Sequence, residues 1–211
     1  MATADPAPGL TRDGALFTKG LSVSISYQRT REMTIDELLL ENRVVFLIGE
    51  ITPGSAARVT MQMLYLEKNK PGQDIHFYIN SPGGIVDDTL AILDTMEFIS
   101  SPVNTYCIGR AFSGAAVLLA AGVKGKRFIL PHAKVMIHQP SGGVGGQAED
   151  IRIQAEQIIK TKQQLIDILA KRTGQSAQVI RDASERDRYF SADEAKAFGL
   201  VDEVVAKPAG R

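Results

Sequence analysis

The chain carries a single cysteine, Cys107, among 211 residues, so no intrachain disulfide can form. A lone thiol fits a reducing compartment. Cys107 also lies in the apolar run VNTYCIG, where a small hydrophobe serves as buried filler rather than as a nucleophile. Net charge is absent too: 24 basic residues balance 24 acidic ones, which gives no reason to expect nucleic acid or an anionic membrane as partner. No apolar run approaches the roughly 20 residues of a membrane span. The longest, residues 114–123, has the length of a core helix. The first 20 residues contain no continuous hydrophobic stretch and carry Asp5 and Asp13, so neither a secretory leader nor a transit peptide is expected. A cytoplasmic location is the expectation.

What is present points to one domain. Residues 1–20, rich in small residues and proline, read as a flexible arm. Residues 21–206 read as a single domain and 207–211 as a tail. LSVSISYQR is a candidate strand, and Thr34 caps a short helix. VVFLIGEI is a buried strand, and Ser55 is the expected cap of the helix that follows. Strand and helix then alternate through DIHFYI, the segment after Gly84, VNTYCIG, the run from Ser113, RFIL and AKVMI. That alternation predicts an α/β fold with a parallel sheet and right-handed crossovers.

After the glycine-rich stretch Ser141–Gly146, a periodic run extends from Gln147 to Arg172. It exceeds the usual length of a globular helix. Such a helix either projects toward another subunit or lies across the sheet as a core helix. A capping box at Ser191–Glu194, a stop at Gly199 and the strand VDEVV close the chain.

Chemistry concentrates between Gly109 and Pro140. Ser113 stands where a β-branched strand gives way to the apolar run SGAAVLLAAGV. A serine there is ordinarily a helix cap. It also stands among unpaired N–H groups at the positive end of a helix, a place suited to an oxyanion. A hydroxyl needs a base, and the chain offers three imidazoles: His76 within a strand, His132 in a turn, and His138 at the end of AKVMI. Sites in open parallel sheets form at the carboxyl ends of strands. That favours His138 over the others, against the alternative of a structural histidine. Position does not single out a carboxylate, and Asp187 in the run Glu185–Arg188 also reads as a solvated charge. Gly83 and Gly84 permit close backbone approach after a strand, and the Gly114 N–H follows the serine directly. The Gly-Lys-Ser/Thr ending of a P-loop is missing, as is a Gly-x-Ser-x-Gly elbow. No metal or cofactor is expected.

As a set, YINSPGG (78–84), AILDTMEFI (91–99), GRAFSGA (109–115), LLAAGVKGKRFILPHAKVMIHQP (118–140), GGQAEDI (145–151) and ERDRYFSADEAKAFGLVDEV (185–204) resemble the ClpP family. That family comprises the proteolytic subunits of the Clp ATP-dependent protease. The resemblance implies a ClpP/crotonase-like spiral core of βαβ units with a protruding handle at about 141–173. It implies a serine endopeptidase with Ser113, His138 and Asp187 as catalytic triad and the amides of Gly84 and Gly114 as oxyanion hole. Gly83, Ile85, Phe112, Gln139 and Pro140 would contact substrate, and Arg186 would serve ring–ring contact. It further implies two stacked heptamers, of this chain alone or mixed with a paralogue, fed with unfolded polypeptide by an AAA+ unfoldase such as ClpX, ClpA or ClpC. The chain departs from the family where Phe112-Ser113-Gly114-Ala115 replaces the usual Ala-Ser-Met-Gly, and where Ile85 and the pair Asp87-Asp88 follow the double glycine. These changes imply an altered substrate pocket. Two other classes remain: a crotonase-type acyl-CoA enzyme, and a ring subunit with weak or no activity of its own.

Overall fold

In this computed structural model residues 33–206 are described. The expected arm, the candidate strand LSVSISYQR and the tail lie outside the described residues. Helix α1 (Ile35–Glu41) begins at Thr34, whose side chain accepts from the Glu37 N–H while Glu37 reaches back to the Thr34 N–H. Strand β1 (Val44–Ile48) leads into helix α2 (Pro53–Asn69). The expected cap Ser55 is instead the third helical residue. Thr52 is the cap, and the two form a reciprocal capping box with Pro53 at the first helical position. Proline is favoured there because its missing N–H would have had no intrahelical acceptor.

Strand β2 (Ile75–Ser81), helix α3 (Val86–Phe98), strand β3 (Val103–Phe112) and helix α4 (Gly114–Ala120) follow. Then come β4 (Arg127–Ile129), β5 (Lys134–Ile137), the 26-residue helix α5 (Ala148–Thr173), α6 (Ala177–Ala183), β6 (Arg188–Phe190), α7 (Ala192–Phe198) and β7 (Glu203–Val204). The sheet runs β1-β2-β3-β4-β7, all parallel. Strand β3 changes partner along its length. Thr105–Cys107 pair with β4, and Arg110–Phe112 pair with β5. The sheet therefore forks just before Ser113. Strand β6 joins β5 antiparallel, which departs from the all-parallel expectation. A strand reached from β5 through two helices, α5 and α6, is free to return in either direction, and its three residues carry no periodicity that decides which.

The core sits on one face of this sheet. Helix α4 is buried nearly all round, with Ala115, Ala116, Val117, Leu118, Leu119 and Ala120 out of solvent, as its unbroken apolar sequence requires. On the other face the register aligns Phe46, Tyr78, Tyr106 and Phe128 in one row, with stacked neighbours 4.5–5.4 Å apart. Such cross-strand aromatic pairs each add a few tenths to about 1 kcal/mol. Helix α5 is buried only near its C-terminal end, at Ile166, Leu169 and Thr173, while Ile151, Ile153 and Ile159 stand exposed. Of the two readings of this long run, the first half fits a projecting helix and the second half a core helix. Among the described residues no helix is long and apolar enough to cross a membrane.

Candidate active site

Ser113 occupies the turn between β3 and α4 with φ 55° and ψ −123°, a region that side chains rarely enter. Its position is that of a helix cap, yet its side chain makes no capping hydrogen bond. The ordinary explanation for a serine here therefore does not hold. The Ser113 N–H donates to the carbonyl of Met136 on β5 at 2.9 Å, which ties the turn to the neighbouring strand. The hydroxyl lies 2.9 Å from His138 Nε2.

Sheet register brings the other two groups in. In the antiparallel pair β5–β6, Ile137 faces Arg188, so the next positions outward are His138 and Asp187. His138 Nδ1 lies 3.1 Å from Asp187 Oδ1. A carboxylate can only accept, so Nδ1 carries the proton in that bond, and Nε2 is left as the acceptor for the serine hydroxyl. Hydroxyl, imidazole and carboxylate thus form one hydrogen-bonded chain. The imidazole side chain is 25% exposed and the carboxylate 56%.

The backbone completes the site. Ile51, just beyond β1, accepts from the Ile85 N–H at 3.0 Å and donates to the Gly83 carbonyl at 2.9 Å, forming a short bridge opposite Gly84. The Gly84 N–H has no partner among the described residues, and neither has that of Gly114. A Cβ at Gly84 would lie 2.1 Å from the Ile51 carbonyl oxygen, so no side chain fits. A Cβ at Gly83 would lie 2.7 Å from that of Ser113 and 3.0 Å from the Gly114 nitrogen, which puts this loop against the serine turn. At Gly114 a Cβ would fall 2.4 Å from Thr89 Oγ1 on α3. Thr89 is fully buried and donates to the Ile85 carbonyl. The glycine after Ser113 is thus matched to a threonine on the facing helix. The sequence held no signal for Ile51 or Met136, whose roles rest on backbone contacts, nor for Thr89, whose side chain meets Gly114 only through packing of α3 against α4.

The other candidates separate. Ile85 and Pro140 line a groove beside the site, whereas Phe112 and Gln139 do not. Phe112 packs edge-on against Tyr189 at 5.5 Å. Gln139 bridges the Glu185 carbonyl and the ammonium of Lys162 on α5. Arg186 is exposed and has no partner among the described residues. His76 pairs with the Tyr106 hydroxyl at 3.0 Å, within the aromatic row, and His132 is exposed in the turn before β5. Burial pushes the Cys107 thiol up to about 12, which fits filler and not a nucleophile. Among the described residues no three His, Cys, Asp or Glu side chains cluster as a metal would require.

A βαβ-built sheet carrying a Ser-His-Asp hydrogen-bond chain at its strand ends, with two free backbone amides beside it, has the architecture on which serine hydrolases are built. The comparisons narrow that class. The model of the Clp protease family matches residues 27–208. The ATP-dependent Clp protease proteolytic subunit 1 of Rhodopirellula baltica is 52% identical over 180 residues, covering 85% of this chain and 79% of that protein. The chain belongs to the Clp protease family.

Proposed function

We propose that the chain is a serine endopeptidase, the proteolytic subunit of an ATP-dependent Clp protease. The observation that carries this reading is the continuous hydrogen-bonded chain Ser113–His138–Asp187. His138 Nε2 takes the proton from Ser113 as Oγ attacks the peptide carbonyl. Asp187 holds the imidazole in the required tautomer and balances the charge that it gains. The amides of Gly84 and Gly114 receive the oxyanion. The proton then passes from His138 to the leaving amine, and water releases the acyl group by the reverse path. The positive φ of Ser113 supports the reading, since a strained nucleophile turn presents Oγ away from its own helix.

Oligomeric rings working with Clp ATPases complete the proposal. Its finer form is two stacked heptamers, homomeric or mixed with a paralogue, enclosing the sites, with an AAA+ unfoldase delivering unfolded polypeptide. Support comes from the exposed Ile151, Ile153 and Ile159 of α5, a face that a free subunit would leave wet, and from the unpaired Arg186 beside Asp187. Ring–ring contact through α5 and Arg186 would couple assembly to the carboxylate.

The test is turnover of unfolded casein and short fluorogenic peptides by the assembled protein. Ser113→Ala and His138→Ala are each expected to lose at least about a thousandfold, because the three side chains act as a unit. Full turnover in either variant would refute the assignment. Native mass spectrometry of the chain, alone and with a paralogue, reads the ring composition.

A further inference from the structure

A groove of about 370 Å³ lies along the backbone that follows Gly84, and none of the catalytic trio lines it. Its walls start at the site itself: Ile85 follows Gly84, and Pro140 stands two residues beyond His138. Val144 from the glycine-rich loop and Gln157 and Ile158 from α5 line it as well. Asp87 is the one charged residue in the lining. Its carboxylate has no ion pair or hydrogen bond among the described residues. An acid in the first turn of α3 is favoured by the helix dipole. That accounts for its presence at an exposed position, and it leaves an unpaired carboxylate in the lining of a groove that begins at the residue after Gly84.

We infer that Asp87 gives this peptidase a preference for lysine or arginine as the residue whose carbonyl Ser113 attacks. The inference rests on the peptidase reading and adds the substrate class. Ile85, Pro140, Val144 and Ile158 offer apolar surface to the methylene stem of such a side chain. The carboxylate meets the cation at its end, a charge-assisted hydrogen bond that forms as substrate displaces water. A leucine or methionine in the same place desolvates Asp87 and returns no partner to it. A glutamate meets repulsion. The groove therefore discriminates by charge, and the glutamines on α5 add nothing that offsets Asp87.

The experiment compares kcat/KM on otherwise identical fluorogenic peptides with arginine, lysine, leucine or glutamate before the scissile bond. It uses the full chain in its assembled state, with phosphonofluoridate labelling of Ser113 run in parallel. Arginine and lysine peptides are expected to lead. In Asp87→Asn the arginine-to-leucine ratio falls about tenfold, and Asp87→Lys moves the preference to glutamate. A leucine preference in the unaltered protein, or a ratio unmoved by Asp87→Asn, overturns the inference while labelling at Ser113 leaves the peptidase reading standing. Absence of both hydrolysis and labelling overturns the two together.

Discussion

At the scale of single residues, the site depends on a serine held where a serine is uncomfortable. A positive φ on a residue with a Cβ costs on the order of 1–3 kcal/mol, and Ser113 has no capping bond to offset it. Ser113→Gly removes the Cβ and is expected to raise stability by about 1 kcal/mol after the entropy that glycine adds to the unfolded chain. Ser113→Ala keeps the strain and gains nothing, and both variants lose turnover. Thermal melts of the two set beside peptide hydrolysis check this, and a Gly variant less stable than the Ala variant would refute it. Ser113 and His138 were legible in the sequence because parallel-strand ends are where such sites form. Asp187 was not legible from position. What selects it is a three-residue antiparallel strand whose register sets 187 opposite 138, and no periodicity encodes that pairing. Family resemblance supplied what local pattern left open.

Between elements, the contact that matters is α3 against the start of α4. Thr89 fills the space that a side chain at 114 would need, and through the Ile85 carbonyl it fixes the strand of backbone that carries the Gly84 amide. Gly114→Ala is expected to cost about 1–3 kcal/mol from overpacking and to lower kcat more than it raises KM. Thr89→Ala in the same molecule relieves the clash and recovers part of both. A double-mutant cycle with no coupling between 89 and 114 would contradict this. The sequence showed the departure at Gly114 but not its partner, because residues 89 and 114 meet only once the two helices pack. Helix starts at Thr34 and Ser191 were readable from single residues. The start of α2 was misplaced by three residues, since both members of its capping box are hydroxyl side chains and either satisfies the pattern. The alternation of strand and helix through α4 was readable as well, each segment being long and strongly apolar. The turnabout of β6 was not.

For the whole molecule, two carboxylates tie distant segments together. Asp202 accepts from Arg127 Nε and Nη2 and from the N–H groups of Gly125 and Arg127, joining the approach to β7 to β4. Arg127 is almost fully buried and also reaches the carbonyls of Ala120 and Arg172. Asp202→Ala leaves that guanidinium without its counter-ion and is expected to cost about 3–5 kcal/mol, read by denaturant unfolding. Burial alone would raise the Asp202 carboxyl, but the hydrogen bonds and charge of Arg127 override it and hold it below the usual carboxylate range. Glu67 accepts from the Ser100 hydroxyl and from the Ser100 and Ser101 amides, and hydrogen bonding from Ser100 and then Ser101 lowers it to about 2. A folded-state pKa below the unfolded one contributes stability above the unfolded value and loses it as pH falls through the folded one. Stability is therefore expected to decline as pH drops from 4.5 toward about 2, and Glu67→Gln to flatten that decline. An unchanged acid profile in Glu67→Gln would show that the carboxylate contributes nothing to it.

Assembly belongs to the same scale. Ile153→Lys and Ile159→Lys change side chains that a single subunit leaves exposed. Each is expected to spare the subunit fold and to shift native mass toward smaller species. The most direct measurement of the central claim is the mapping, by peptide mass spectrometry, of the residue that a phosphonofluoridate modifies in the assembled protein. The account predicts modification at Ser113 alone, with the rate falling at least about a hundredfold in His138→Ala. Modification at another serine, or a labelling rate indifferent to His138, would contradict it.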